Sequence, residues 1–158
     1  MIETERKFLV TSEDFKKQAT EQKVFRQAYL NTDPQRTVRV RLTGDTGYLT
    51  IKGKSSNSGM SRYEWEKAIP AAEAEELLKI CEPGMIEKTR FLVPVAGHTF
   101  EVDEFFGAHT GLIIAEIELK TEDEDFERPQ WLGKEVTGDL RYYNSQLIKK
   151  PIKNQQDE

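Results

Sequence analysis

Seven short stretches of the chain place charged residues at every second position, with apolar or small residues between them. They are Glu3/Glu5/Lys7, Arg39/Arg41, Lys52/Lys54, Arg62/Glu64/Glu66, Lys88/Arg90, Glu101/Asp103 and Glu116/Glu118. Side chains on a strand alternate between two faces, so this spacing gathers each charged set on one face and its apolar partners on the other. The apolar partners include Val38, Val40 and Leu42, Leu49 and Ile51, Phe91 and Val93, and the run Ile113, Ala115, Ile117 and Leu119. One such pair fits a solvated sheet face. Seven in one small domain point to charged faces that look at one another across a polar-lined barrel or trough.

At 158 residues the chain reads as one domain, residues 1–150, followed by a polar tail at 151–158. A chain of this length buries roughly two thirds of its unfolded surface without staples. Its 37 % hydrophobic and 32 % charged content suits a domain that keeps charges in an interior channel. The single cysteine, Cys81, rules out an internal disulfide or a zinc–thiolate cluster and fits a reducing compartment. With no histidine near it in sequence, Cys81 reads as a packing residue and not as a nucleophile. No signal peptide or membrane-length apolar run is visible, so the expected location is cytoplasmic. A net charge of −5, from 23 basic and 28 acidic residues, argues against a protein that coats nucleic acid.

Local signals give an α+β order. Thr11 to Asp14 cap a short helix through about Gln18, and a strand follows with Gln27 and Tyr29 on one face and Ala28 and Leu30 on the other. Gly44-Asp45-Thr46-Gly47 reads as a hairpin turn, and Ser55 to Ser61 as a flexible polar loop. Pro70 starts a helix expected to end near Cys81. Leu140, Tyr143, Leu147 and Ile148 recur at helical spacing behind an Asp139 cap, which predicts a closing helix. His98 and His109 fall in glycine-flanked turns and are expected to be exposed. Trp65, Trp131, Tyr142 and Tyr143 are expected to pack. Many antiparallel strands with few helices predict a barrel or strongly curved sheet with helices packed outside.

The alternating sets hold eight bases (Lys7, Arg39, Arg41, Lys52, Lys54, Arg62, Lys88, Arg90) and eight acids (Glu3, Glu5, Glu64, Glu66, Glu101, Asp103, Glu116, Glu118). The signs are segregated by strand, so they neutralise one another poorly. Two buried carboxylates on one strand need a cation between them, and hard oxygen ligands suit Mg²⁺ or Mn²⁺. The basic strands need an anion spread over several oxygens, and arginine forks match phosphate. A metal bridging carboxylates to a linear chain of phosphates satisfies both, as in phosphoryl transfer.

Glu3-Thr4-Glu5-Arg6-Lys7 resembles the ExExK signature of the CYTH superfamily, the triphosphate tunnel metalloenzymes. The pairs Arg39/Arg41 and Lys88/Arg90, the Arg62/Glu64/Glu66 strand, Glu101-Val102-Asp103 and Ala115-Glu116-Ile117-Glu118 follow in that family's order, from Met1 through Leu147. The sequence is most similar to short bacterial inorganic triphosphatases, including its Lys88-Thr89-Arg90 and Gly133 to Thr137 segments.

The resemblance implies an eight-stranded antiparallel barrel forming a tunnel that binds triphosphate with a divalent metal. It implies Glu3, Glu5, Glu101, Asp103, Glu116 and Glu118 as metal-side carboxylates, with Glu5 and Glu118 foremost. Lys7, Arg39, Arg41, Lys52, Lys88 and Arg90, followed by Lys54 and Arg62, would hold the substrate. Lys88 would be the base that activates water, helped by Tyr29. Glu64 and Glu66 read as ion-pair partners of the bases, and Lys134 as an exposed loop lysine. The expected reaction is metal-dependent hydrolysis of inorganic triphosphate by a monomer or homodimer without nucleic-acid or membrane partners. The alternatives are a class IV adenylyl cyclase-like lyase, a thiamine or nucleoside triphosphatase, and a non-catalytic polyphosphate-binding module.

Overall fold

The alternating stretches form strands, and a computed structural model describes residues 1–152. The expected tail beyond residue 152 lies outside the described residues. The strands are β1 (Ile2–Val10), β2 (Glu21–Asn31), β3 (Arg36–Thr43), β4 (Thr46–Gly53), β5 (Ser61–Pro70), β6 (Ile86–Val95), β7 (His98–Phe105), β8 (Ile113–Glu118) and β9 (Leu132–Glu135). They order as β5-β4-β3-β2-β6-β7-β8-β1-β9, every pairing antiparallel.

Strand β1 closes the ring. Its first residues pair with β5 (Ile2↔Tyr63, Glu3↔Arg62) and the rest with β8 (Glu5↔Glu118, Lys7↔Glu116). Eight strands thereby make a closed antiparallel barrel. The short β9 pairs with β1 farther along, at Phe8↔Glu135 and Val10↔Leu132. Closure removes the exposed strand edges on which another chain would template.

Because the lumen is polar, most of the apolar core lies outside the ring. One cluster joins Phe8 and Val10 of β1, Phe91 and Val93 of β6, Phe100 and Val102 of β7, and Ala115 and Ile117 of β8. Helix α1 (Phe15–Gln18) and Trp131 cover it, with Phe15 edge-on to Phe91 at 5.4 Å between ring centres. A second cluster, around Val40, Leu42 and Ala74, lies between β3 and helix α2 (Ala71–Leu78). That contact requires a glycine at position 47, since a Cβ there would come within 2.5 Å of the Ala74 Cβ. Each large side chain so buried contributes about 1.5–3 kcal/mol.

The third cluster floors the lumen. Leu9, Ile86, Phe105 and Ile114 continue the inward rows that carry Lys7, Lys88, Asp103 and Glu116, and they pack with Leu112, Val136, Tyr142 and Leu147. The C-terminal segment that supplies Tyr142 and Leu147 is not one helix. It is a 3-10 turn (Leu140–Tyr142), an extended Tyr143 (φ −72°, ψ 133°) and helix α3 (Asn144–Leu147). The Asp139 side chain does accept from the Arg141 N–H at the first turn. Tyr143 breaks the helical period so that its ring and Asn144 face the lumen while Tyr142 and Leu147 fill the floor.

Four other expectations shift, the first being Trp65, which is exposed and not packed. α1 starts only at Phe15, without a side-chain bond from Asp14, and α2 ends at Leu78 with Pro70 as its cap. His109 is buried, not exposed: its Nε2 lies 2.9 Å from the Leu147 carbonyl oxygen, holding the Gly107–His109 turn against α3. No helix among the described residues is long and apolar enough to cross a membrane.

Candidate active site

The inward faces enclose a cavity of about 230 Å³. Fourteen of its lining residues are charged, seven acids (Glu3, Glu5, Glu64, Glu66, Glu101, Glu116, Glu118) and seven bases (Lys7, Arg39, Arg41, Lys52, Arg62, Lys88, Arg90). Tyr29, Thr37, Thr50, Tyr143, Asn144 and Ser145 complete the wall.

The deep part is a network of bases on few acceptors. Arg90 grips Asp103 through two nitrogens (Nε to Oδ1 2.8 Å, Nη2 to Oδ2 2.9 Å), and Lys88 Nζ lies 2.7 Å from Asp103 Oδ2. Although burial alone would raise the Asp103 carboxyl, Arg90 and Lys88 hold it down to about 2. Lys88, 2 % exposed, is pulled down to about 7 by burial and by the like charges of Arg90 and Arg41, against the opposing pull of Asp103. Burial, then Arg39 and Arg90, pull Arg41 down to about 9. A guanidinium stays protonated near neutrality, so this strain acts as demand for an anion. Aromatic faces partly meet it: Arg41 lies 4.3 Å and Arg90 5.0 Å from the Phe25 ring centre.

The other part gathers acids. Glu5 and Glu116 are half-buried on the same wall, close enough for each to shift the other's titration. Burial and then Glu116 push Glu5 well above the usual carboxylate range. Glu116 goes the other way, because Lys7 and Arg90 outweigh its burial. Glu118, nearer the opening, is raised by burial and by Glu3, Glu101 and Glu64. The chemistry of this donor set fits a divalent cation, although among the described residues no three such side chains are already drawn together around a vacant centre.

Between the two parts, β4 and β5 carry ion pairs. Lys52 Nζ lies 2.9 Å from Glu3 and 3.4 Å from Glu64, and Arg39 lies 3.6 Å from Glu66. Thr50 donates to Glu66 at 2.7 Å. Lys7 and Arg62 both face the Tyr143 ring, at 4.8 and 5.3 Å from its centre.

A closed antiparallel barrel whose lumen sorts basic from acidic side chains is the architecture that the N-terminal signature implied, and the chain matches the CYTH domain over residues 1–151. It belongs to the CYTH family. This CYTH chain is 49 % identical over 153 residues to an inorganic triphosphatase of Acetivibrio thermocellus, covering 96 % of each protein. It is 37 % identical over 151 residues to one of Nitrosomonas europaea, covering 93 % of this chain and 97 % of that one. A solved crystal structure of an inorganic triphosphatase aligns with a TM-score of 0.65 at 34 % identity, over 92 % of this chain and 93 % of the other.

Within the CYTH barrel, two expected site residues fall elsewhere. Lys54 is exposed, because β4 ends at Gly53 and the alternation no longer governs the next side chain. It lines an adjoining groove with Pro34 and Leu140, which shares Thr37, Arg62, Tyr143 and Ser145 with the cavity wall. Asp103 points inward but its two oxygens are taken by Arg90 and Lys88, so the structure gives it cations of the protein itself in place of a metal. Every other expected residue lines the cavity. The sequence reading missed Gln27, Tyr143, Asn144 and Ser145. The polar Asn144-Ser145 pair inside an otherwise apolar helical period was the signal that something other than packing happens there.

Proposed function

We propose that this chain hydrolyses inorganic triphosphate to pyrophosphate and phosphate, with a divalent cation. The division of one cavity into an anion-seeking and a cation-seeking part carries the reading, and the relatives named inorganic triphosphatase support it.

Lys7, Arg39, Arg41, Lys52, Arg62 and Arg90 hold the phosphate chain, with the arginine forks matching pairs of oxygens. Glu5 and Glu116, with Glu3, Glu101 and Glu118, would hold Mg²⁺ or Mn²⁺, and either ion would draw charge from the phosphate oxygens. Lys88 is the general base. With its pKa drawn to about 7 it accepts the proton of the water that attacks the terminal phosphorus, as the bond to the bridging oxygen breaks and pyrophosphate leaves. Tyr29, 5 % exposed on the same wall, helps orient that water. Asp103 serves as counter-ion to Arg90 and Lys88 and keeps both in place. The free thiol of Cys81 suits a cytoplasmic setting.

A product assay on tripolyphosphate, ATP, thiamine triphosphate and pyrophosphate tests the reading, with Mg²⁺ or Mn²⁺ and with cyclic AMP monitored. Expected is one phosphate and one pyrophosphate per tripolyphosphate, with pyrophosphate left intact. Cyclic AMP from ATP without phosphate release from tripolyphosphate would overturn it in favour of a lyase.

A further inference from the structure

Two amides join two cations of the cavity into one chain. Arg41 Nε donates to Gln27 Oε1 at 3.0 Å, Gln27 Nε2 donates to Asn144 Oδ1 at 2.7 Å, and Lys88 Nζ donates to the same Asn144 oxygen at 2.9 Å. A guanidinium only donates, so the Gln27 atom facing Arg41 must be the carbonyl oxygen. The other end of that amide is then the donating NH₂, and the Asn144 atom receiving it must be an oxygen. Arg41 alone therefore dictates how both amides are turned. Gln27 is completely buried, so its partners cannot be exchanged for bulk water.

The consequence falls on Lys88. A neutral amine has two N–H bonds and one lone pair. Asp103 Oδ2 at 2.7 Å and Asn144 Oδ1 at 2.9 Å supply an acceptor for each N–H bond. The lone pair is left on the remaining side of the nitrogen of a residue that lines the cavity. With Asp103 alone, the amine would turn freely about a single hydrogen bond. Asn144 is in turn seated by α3, whose Leu147 fills the floor and whose Leu147 carbonyl meets His109.

We propose that Gln27 and Asn144 are positioning residues that fix the rotation of the Lys88 amine so that its lone pair faces the attacking water. The proposal rests on the reading of Lys88 as general base in triphosphate hydrolysis. It also makes Arg41, a phosphate-gripping residue, the anchor of the base's orientation.

Steady-state hydrolysis of tripolyphosphate with Mg²⁺, measured for wild type, Asn144→Leu and Gln27→Glu alongside melting temperature, tests it. Asn144→Leu removes the acceptor at similar volume, and kcat should fall by roughly ten- to a hundredfold with KM within about threefold. Gln27→Glu keeps the acceptor for Arg41 but loses the donor to Asn144. Two oxygens then face each other, the Asn144 amide turns over, and its NH₂ meets the Lys88 lone pair. The new carboxylate also favours the charged form of Lys88, so kcat is compared on the high-pH plateau of each variant's profile. A similar fall there without a fall in melting temperature is expected, whereas a merely structural role leaves the plateau kcat untouched. Wild-type kcat in both variants, or a rise in KM alone, overturns the positioning role while the triphosphatase reading stands. Absence of phosphate release by the wild type overturns that reading and the proposal with it.

Discussion

The two walls of the lumen handle their charges in opposite ways. On the basic wall, strand register sets Arg39 across from Tyr29 and Thr50, Arg41 from Gln27 and Tyr48, and Lys88 from Phe25 and Phe105, while Lys52 and Arg90 each meet an acid on one side, Glu64 and Asp103. On the acidic wall it sets acid across from acid, Glu5 from Glu118 and Glu101 from Glu116. Like charges directly opposite destabilise a sheet, and burial makes the repulsion worse. The basic wall is spaced and braced by Asp103, Gln27 and two aromatic rings, so it stands ready for an anion. The acidic wall leaves like charges facing one another, a repulsion that a bound cation would offset. Affinity for the two ligands is thus written into register, not only into residue type.

The comparison can be broken most decisively at the base. Lys88→Ala should lower kcat on tripolyphosphate by roughly 10²–10⁴-fold while the chain of phosphates still binds, as a kcat and KM determination would show. Next in size, Glu5→Gln should cost at least about tenfold in activity and abolish the rise in melting temperature that Mg²⁺ gives the wild type. In chelator the same variant should melt no lower than wild type, since it relieves the repulsion with Glu116. A clear loss of stability there would show that the acidic wall is self-sufficient.

The pH profile sharpens the other side. As the proposed base, Lys88 must be neutral to accept a proton, so kcat/KM should fall as pH drops through about 7. The stability sign agrees: a lysine whose folded pKa lies below 10.5 binds fewer protons in the folded state, so its contribution makes stability rise from about pH 7 toward 10.5. Unfolding midpoints across that range, in wild type and Lys88→Ala, would isolate it. The smallest effect is expected from Lys54→Ala, with kcat and KM within about twofold of wild type, because that side chain lies outside the cavity.

The barrel was legible because period-two alternation needs only the local chain, and it assigned the correct face to Glu3, Glu5, Arg39, Arg41, Glu116 and Glu118 alike. What it left unread is non-local. Glu101 and Asp103 share a face and look equivalent in sequence, yet register sets Asp103 opposite Arg90 and Glu101 opposite Leu92. One becomes a clamped counter-ion and the other stays partly exposed near the opening. Lys54 failed for a local reason, since it falls one residue past the last paired position of β4. The C-terminal segment was misread because Leu140, Tyr143 and Leu147 fit a helical period that Tyr143 interrupts, and nothing in the local pattern shows that the barrel floor would draw Asn144 toward Lys88.

Anomalous diffraction from crystals of Lys88→Ala holding tripolyphosphate and Mn²⁺ would test the division of the cavity most directly. The expected map has the manganese signal against Glu5 and Glu116 and the phosphate chain running along Arg39, Arg41 and Arg90. Manganese bound away from those carboxylates, or phosphates seated on the outer wall of the barrel, would contradict the account.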